Sequence, residues 1–323
     1  MRFAIVGAGA TGAFLGARLA RAGVDVTLIA RGAHLAAMRE RGVEVRGDGE
    51  TFVAHPPCTD DLSVVSQVDA VFVTLKAHGL TEMAPRLGPL LGPDTAVVTA
   101  QNGIPWWYFE RHGGPLDGTQ LRTVDPGGII ARHIEARRVV GCIVYPATSI
   151  VAPGVIQHVE GNRFSLGELD GVATDRTRAI AAALIKGGLK APIRPRIRDE
   201  IWLKLLGNVC FNPISALTRA TMVQIATDPE MRHVARALME EADSVARALG
   251  IELVIGVDQR LAGAEKVGAH KTSMLQDVEA GRPLEIGPLL GAVLEIAALL
   301  GLALPHLRTV YACARLLDQS LRR

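Results

Sequence analysis

A chain of 323 residues has room for two domains, each with a full hydrophobic core. With 49% hydrophobic and 21% charged residues and a formal net charge of +2, a disordered chain is excluded and no basic surface for nucleic acid is expected. The four cysteines (Cys58, Cys142, Cys210 and Cys313) are scattered, with no CxxC pair and no clustering with histidine, which points to free thiols, a reducing compartment and no metal site. The first residues lack the basic and apolar regions of a signal peptide, and no uncharged apolar run reaches membrane-spanning length. A cytoplasmic location without a membrane partner is therefore expected.

Residues 2–6 form a short apolar run of the buried parallel-strand type. Gly7-Ala8-Gly9-Ala10-Thr11-Gly12 follows at once; residues 13–21 then read as a helix stopped by Gly23, and residues 24–29 as a second strand. A GxGxxG is weak evidence by itself. Between a strand and a helix, inside a βαβ unit, it marks a dinucleotide site: glycines let the backbone approach a pyrophosphate whose charge rests on the helix N-terminus. An acidic residue usually ends the second strand where NAD is bound, but this chain has Arg31 there, with His34 close by. A guanidinium at that point suits a 2′-phosphate, so NADP(H) is the expected cofactor.

Further along, residues 43–45 and 51–53 read as a small hairpin, and residues 70–75 and 96–99 as buried strands ending in Lys76 and Gln101-Asn102-Gly103. Ligands bind beyond the carboxyl ends of strands in open α/β sheets, so Gly7, Arg31, Lys76 and Asn102 are expected on one rim. Strands are predicted at 139–145, 154–159 and 163–167, a helix at 174–186, and a strand or linker at 191–196. Strand signals then stop. Helices are predicted at 199–217, 228–249, 258–267, 283–300 and 310–317, with Pro283 in a first helical turn.

The helix predicted at 199–217 is apolar nearly all round and is therefore expected to be buried. Lys204, Asn208 and Asn212 recur in it at i, i+4 and i+8, which stacks them on one face. Buried polar groups need hydrogen-bond partners, so the stripe is either a packing network or a site lined by a cation and two amides. Only six lysines occur among the 35 basic residues, which singles out Lys76 and Lys204, the two inside apolar runs.

Taken together, these segments resemble the ketopantoate reductase (2-dehydropantoate 2-reductase) family. GAGATG, the strand-end Arg31, VTLKA, QNG, IWLKLLGNVCFNP, and SMLQD followed by Glu285 occur in the family's order across nearly the whole chain. The resemblance implies an α/β fold: a Rossmann dinucleotide-binding domain at 1–194, then an all-helical domain at 195–323 like that of 6-phosphogluconate dehydrogenase, with the active site in the cleft between them. It implies NADPH-dependent reduction of a 2-keto acid, first of all 2-dehydropantoate to pantoate. By the same resemblance Gly7, Gly9, Ala10, Thr11 and Gly12 form the phosphate loop, Arg31 takes the 2′-phosphate, and Lys76 and Asn102 face the cofactor. Lys204 and Glu285 are then the catalytic pair, while Asn208, Asn212, Ser273 and Asn102 line the substrate. Asp277, one turn beyond Ser273, is expected to be an exposed acid.

Three features depart from the family pattern. After QNG the chain inserts Ile104-Pro105-Trp106-Trp107-Tyr108-Phe109 and a glycine-rich stretch, read either as a self-packed insertion or as a lid or wall of the substrate pocket. Met222 and His270 stand where some members carry asparagine. These changes leave two alternatives open: a relative acting on another, bulkier 2-keto or 2-hydroxy acid, and an NADPH-binding sensor without turnover. A monomer and a homodimer are both compatible with the sequence.

Overall fold

The computed structural model describes residues 1–47 and 49–322. Its first half alternates strands and helices: β1 (Arg2–Val6), α1 (Ala10–Arg21), β2 (Asp25–Ile29), α2 (Gly32–Arg41), β3 (Val43–Gly47), β4 (Glu50–Ala54), β5 (Cys58–Thr59), β6 (Val68–Val73), α3 (Ala77–Met83), β7 (Leu91–Thr99), α4 (Ile129–His133), β8 (Val139–Val144), β9 (Ala147–Ala152), β10 (Val155–Glu160), β11 (Phe164–Glu168) and α5 (Asp175–Lys186). Helices follow: α6 (Ile197–Thr218), α7 (Met222–Thr227), α8 (Pro229–Ala248), α9 (Val257–Val267), α10 (Ser273–Glu279), α11 (Ala292–Leu299) and α12 (Pro305–Leu321). Two compact units result. One comprises Met1–Gln101, Trp107–Gln120 and Gly127–Ile197; the other comprises Asn102–Trp106, Leu121–Pro126 and Arg198–Arg323.

The first unit is built on a seven-stranded sheet in the order β11-β8-β7-β6-β1-β2-β5. Every pairing in it is parallel except β11 with β8. The chain starts in the middle, moves outward to one edge, then returns past β1 to build the other, which is the Rossmann order. Parallel strands need both faces covered, and β1, β6 and β8 are accordingly apolar and almost wholly buried. The predicted hairpin is present as antiparallel β3 and β4, but it joins a second sheet in the order β4-β3-β10-β9. That sheet packs on α1: Phe14 stacks on His158 at 4.6 Å, and the Arg18 and Arg21 guanidinium groups lie 5.1 and 4.4 Å from the Phe52 ring centre. Residues 191–196 form no strand; a single bridge from Ile193 to Leu166 ties them to the sheet, and another joins Lys190, just before them, to Arg163.

The second unit, among the described residues, is all helical apart from its connecting stretches. Its helices sit close to their predicted places, with one clear shift. The helix predicted from Pro283 begins only at Ile286 and opens with a π turn over Gly287–Gly291, so Pro283 lies in the non-helical stretch before it. The proline that occupies the first turn is Pro288. Among the described residues no helix is long and apolar enough to cross a membrane, and no group of three or more His, Cys, Asp or Glu is placed to hold a metal ion.

Candidate active site

In the sheet unit the loop after β1 is fastened on both sides. The N–H groups of Gly7 and Ala8 donate to the Ile29 carbonyl at the end of β2, at 3.1 and 2.9 Å. Thr74 at the end of β6 donates its hydroxyl to the Gly7 carbonyl at 2.8 Å. Gly7 has φ of +95°, and a Cβ there would lie 2.7 Å from the Leu75 side chain, so only glycine fits. At Gly12 a Cβ would strike the Thr74 hydroxyl and come within 2.7 Å of the Gly7 carbonyl, which holds the helix start hard against the loop. Gly9 differs, because the nearest atom to its Cβ position is 3.9 Å away. That open side leaves room for an anion beside the backbone.

Gly9 is also the N-cap of α1, with no side-chain cap and no acidic residue in the first turn. The N–H groups of Ala10, Thr11 and Gly12 therefore remain for a phosphate, and the helix dipole favours it. The Thr11 hydroxyl lies 3.3 Å from that of Thr148 on β9. Arg31 caps the start of α2, is exposed, and has no ion pair among the described residues. His34 is occupied structurally: its Nδ1 accepts from the Gly154 N–H at 2.9 Å, and burial lowers its pKa. Lys76 is half-buried at the N-cap of α3, directly beyond β6. A pyrophosphate at the Gly9 side and a phosphomonoester at Arg31 both suit these residues, so the unit fits a dinucleotide.

In the helical unit α6 carries the polar stripe. Ile201, Trp202, Leu205, Leu206, Val209, Cys210 and Phe211 are buried, whereas Leu203, Lys204, Gly207 and Asn208 are only half-buried. The expectation of a helix buried all round is corrected in this respect: the stripe opens towards solvent at Lys204 and Asn208 and closes at Asn212, which is 4% exposed. Asn208 donates its amide to the Asn102 carbonyl oxygen at 2.8 Å, and Asn212 reaches the Ser273 hydroxyl at 3.5 Å, the outer limit of a hydrogen bond. Four of the predicted residues are thus paired across two contacts. Ser273 itself is exposed, and the N-cap of α10 is Thr272, whose hydroxyl accepts from the Leu275 N–H at 3.2 Å. Glu285 is half-buried just before the π turn.

The stretch bearing Asn102 is held by that same turn. Ile104 donates its N–H to the Pro288 carbonyl at 2.9 Å, and Gly103, at φ +81°, packs where a Cβ would lie 2.5 Å from that oxygen. Farther on, Arg122 and Thr123 donate their N–H groups to the two carboxylate oxygens of Glu295, at 2.8 and 2.9 Å. Sequence reasoning missed Glu295, and also Arg260 on α9, which donates to the Leu203 carbonyl and lies beside Gly207 on the open stripe. Neither carries a sequence signal, since acidic and basic residues on amphipathic helices are commonplace.

One expectation fails here, and one open alternative is narrowed. Asp277 is no exposed acid: it is 5% exposed and pairs with Arg282 at 3.0 Å, because the chain turns back after α10 and the Arg282 N–H donates to the Asp277 carbonyl. The aromatic insertion is no lid over most of its length. Trp107 is 1% exposed, donates to the Thr99 hydroxyl at 2.7 Å and fills the space left by Gly141, while Tyr108 and Phe109 are fully buried. Trp106 is buried as well, and its indole N–H has no hydrogen-bond partner among the described residues. Met222 and His270, the other departures, meet through the Met222 N–H and the His270 carbonyl at 3.0 Å.

Comparison with known proteins matches residues 3–107 to the family model described as ketopantoate reductase PanE/ApbA and residues 196–318 to ketopantoate reductase PanE/ApbA, C terminal. A 2-dehydropantoate 2-reductase of Mesorhizobium japonicum is 49% identical, covering 98% of this chain and 97% of its own. A crystal structure from Ralstonia solanacearum MolK2, assigned as a ketopantoate reductase, superposes with a TM-score of 0.94 at 41% identity, covering 99% and 98% of the two chains. The 2-dehydropantoate 2-reductase of Geobacter metallireducens GS-15 gives a TM-score of 0.86 at 27% identity, covering 98% and 99%.

Proposed function

The chain belongs to the ketopantoate reductase family, and from that premise we propose that it reduces 2-dehydropantoate to pantoate, with NADPH as the reductant. It is an oxidoreductase of the CH–OH class with a nicotinamide dinucleotide as cofactor, and the preference for NADPH rests on Arg31. The observation that carries the reading is the stripe on α6: a lysine and an amide on its half-buried face, the amide fixed by Asn102 at 2.8 Å.

Held by the loop at residues 7–12 and by Arg31, a nicotinamide cofactor would supply a hydride to the keto carbon. As that bond forms, charge grows on the keto oxygen, and the Lys204 ammonium stabilises it and then transfers a proton to it. Being half-buried, Lys204 recovers the proton from solvent. Lysine suits both tasks, because arginine holds its proton at any working pH. Asn208, its amide nitrogen committed to Asn102, presents its carbonyl oxygen as an acceptor for the substrate hydroxyl. Ser273, Asn212 and Glu285 complete the set that reads the hydroxyl and carboxylate groups. The four free cysteines agree with a cytoplasmic location.

One observation favours a second reading. Met222 and His270 replace amides at adjoining positions and Trp106 lies buried after Asn102, which suits a more apolar 2-keto acid. Steady-state oxidation of NADPH and of NADH with a panel of 2-keto acids decides. Highest kcat/KM on 2-dehydropantoate with NADPH is expected. A higher value on an aromatic 2-keto acid selects the second reading, and no oxidation with any member removes the enzymatic assignment.

A further inference from the structure

Glu285 is the last residue of the non-helical stretch between α10 and the π turn, directly before Ile286. That stretch is nevertheless tied down on both sides of its buried carboxylates. On one side Asp277, 5% exposed, accepts from the Arg282 guanidinium at 3.0 Å, and its own carbonyl accepts the Arg282 N–H at 2.8 Å. On the other, Asp318 of α12, 8% exposed, accepts the N–H of Leu284 at 2.8 Å through Oδ1. Its Oδ2 takes the Arg322 guanidinium one helical turn on, at 2.6 Å. Leu284 is itself buried, so the peptide that leads into Glu285 is fixed by a charge-assisted hydrogen bond and an apolar anchor together.

We propose that Asp318 is a positioning residue: by holding the Leu284 N–H it sets the direction in which the Glu285 carboxylate meets the substrate. A buried carboxylate divided between one backbone N–H and one guanidinium is more than packing requires, because an apolar side chain would fill the same place without desolvating a charge. Arg322 pairs with the other oxygen of that carboxylate, which leaves Oδ1 directed at the Leu284 N–H. The last helix thereby takes part in substrate recognition without touching the substrate. This inference rests on the reading of Glu285 as a substrate ligand, and its test separates the two.

The variants are Glu285→Gln, Asp318→Ala, Asp318→Asn and the double variant Glu285→Gln/Asp318→Ala, assayed with 2-dehydropantoate and NADPH. Asp318→Ala should raise KM for the keto acid about tenfold or more, the usual cost of a displaced binding group, with the KM for NADPH unchanged. Asp318→Asn keeps an acceptor oxygen and should recover most of that loss. The double variant should be no worse than Glu285→Gln alone, since both changes remove one interaction. Hydrogen exchange should show faster labelling at the Leu284 amide in Asp318→Ala. Should Asp318→Ala not fold, Asp318→Leu, which fills the place without an acceptor, carries the test through the same KM and the exchange at Leu284. Multiplicative effects in the double variant, or an unchanged KM in both Asp318 variants, overturn the positioning role. An unchanged KM in Glu285→Gln instead overturns the assignment of Glu285 itself.

Discussion

Lys204 shows how far a single residue can be read. It stood out in the sequence because lysine is scarce in this chain and because Asn208 follows it by one helical turn. Its position on the half-buried stripe of α6 adds what spacing did not give, access to solvent for proton return. Replacing Lys204 by alanine should lower kcat about a hundredfold to ten-thousandfold while leaving the KM for NADPH near that of the parent, as loss of a general acid does. Lys204→Arg should not restore turnover, because the guanidinium retains its proton. Steady-state kinetics test both, and near-normal turnover in Lys204→Ala would remove the proposed acid. Asp277 marks the limit of residue-level reading. An acid one turn into a short helix looks solvated, and only the return of Arg282 shows that it is a buried partner.

At the scale of elements, the junction of β11 and α5 is held by one buried carboxylate. Glu168 is 4% exposed and accepts from Arg176 at 2.9 and 2.5 Å, from Thr174 at 2.6 Å, and from Thr177. Burial by itself would raise its pKa; the hydrogen bonds from Arg176, Thr174 and Thr177 outweigh that, and the net direction is down. A carboxyl depressed in the folded state contributes stability above its unfolded pKa of about 4.3, and that contribution is lost as the pH falls through the lower folded value. Glu168→Gln should therefore lose about 1.5–3 kcal/mol at neutral pH, the range for a hydrogen bond to a charged group, because Gln keeps one acceptor and Arg176 is partly exposed. Its Tm should then fall less steeply than the parent's below pH 4.3 or so. Equal acid slopes for the two proteins would show that Glu168 is not the titrating group.

The aromatic insertion belongs to the same scale. Trp107→Ala leaves an indole-sized hole against Gly141 and an unpaired Thr99 hydroxyl, with an expected loss of about 3–5 kcal/mol. Thermal unfolding followed by circular dichroism measures it. The ratio of kcat/KM values between 2-dehydropantoate and aromatic keto acids should stay as in the parent; a changed ratio would return Trp107 to the substrate wall.

For the whole molecule, folding and cofactor choice are linked. A ligand that binds only the folded chain stabilises it by about 2.7 kcal/mol at a hundredfold excess over Kd. NADPH should thus raise Tm more than an equal concentration of NADH. On the proposed reading the Arg31 guanidinium pairs with the 2′-phosphate, a bond worth about 1.5–3 kcal/mol, so Arg31→Ala should erase that difference. An Arg31→Ala protein that still distinguishes the two cofactors would show that the selection lies elsewhere.

The sequence by itself determined the βαβ start, its glycine loop, the arginine in place of an acid, and the lysine–amide stripe, because each is local: a period of two or of 3.6, a glycine demanded by the backbone, a charge at a strand end. Tertiary structure decided the rest. The hairpin at 43–53 joined a second sheet over α1, since its partner strands lie a hundred residues away in the chain, as the pairing of Val45 with Ile156 shows. Asn102–Trp106 fell in with the helical unit although the strands before and after belong to the other. Asp277 and Asp318 acquired their meaning from Arg282 and Leu284, which no spacing rule connects to them. Pattern fixes what a segment is; which distant backbone amide a buried carboxylate will meet is settled only when the helices pack.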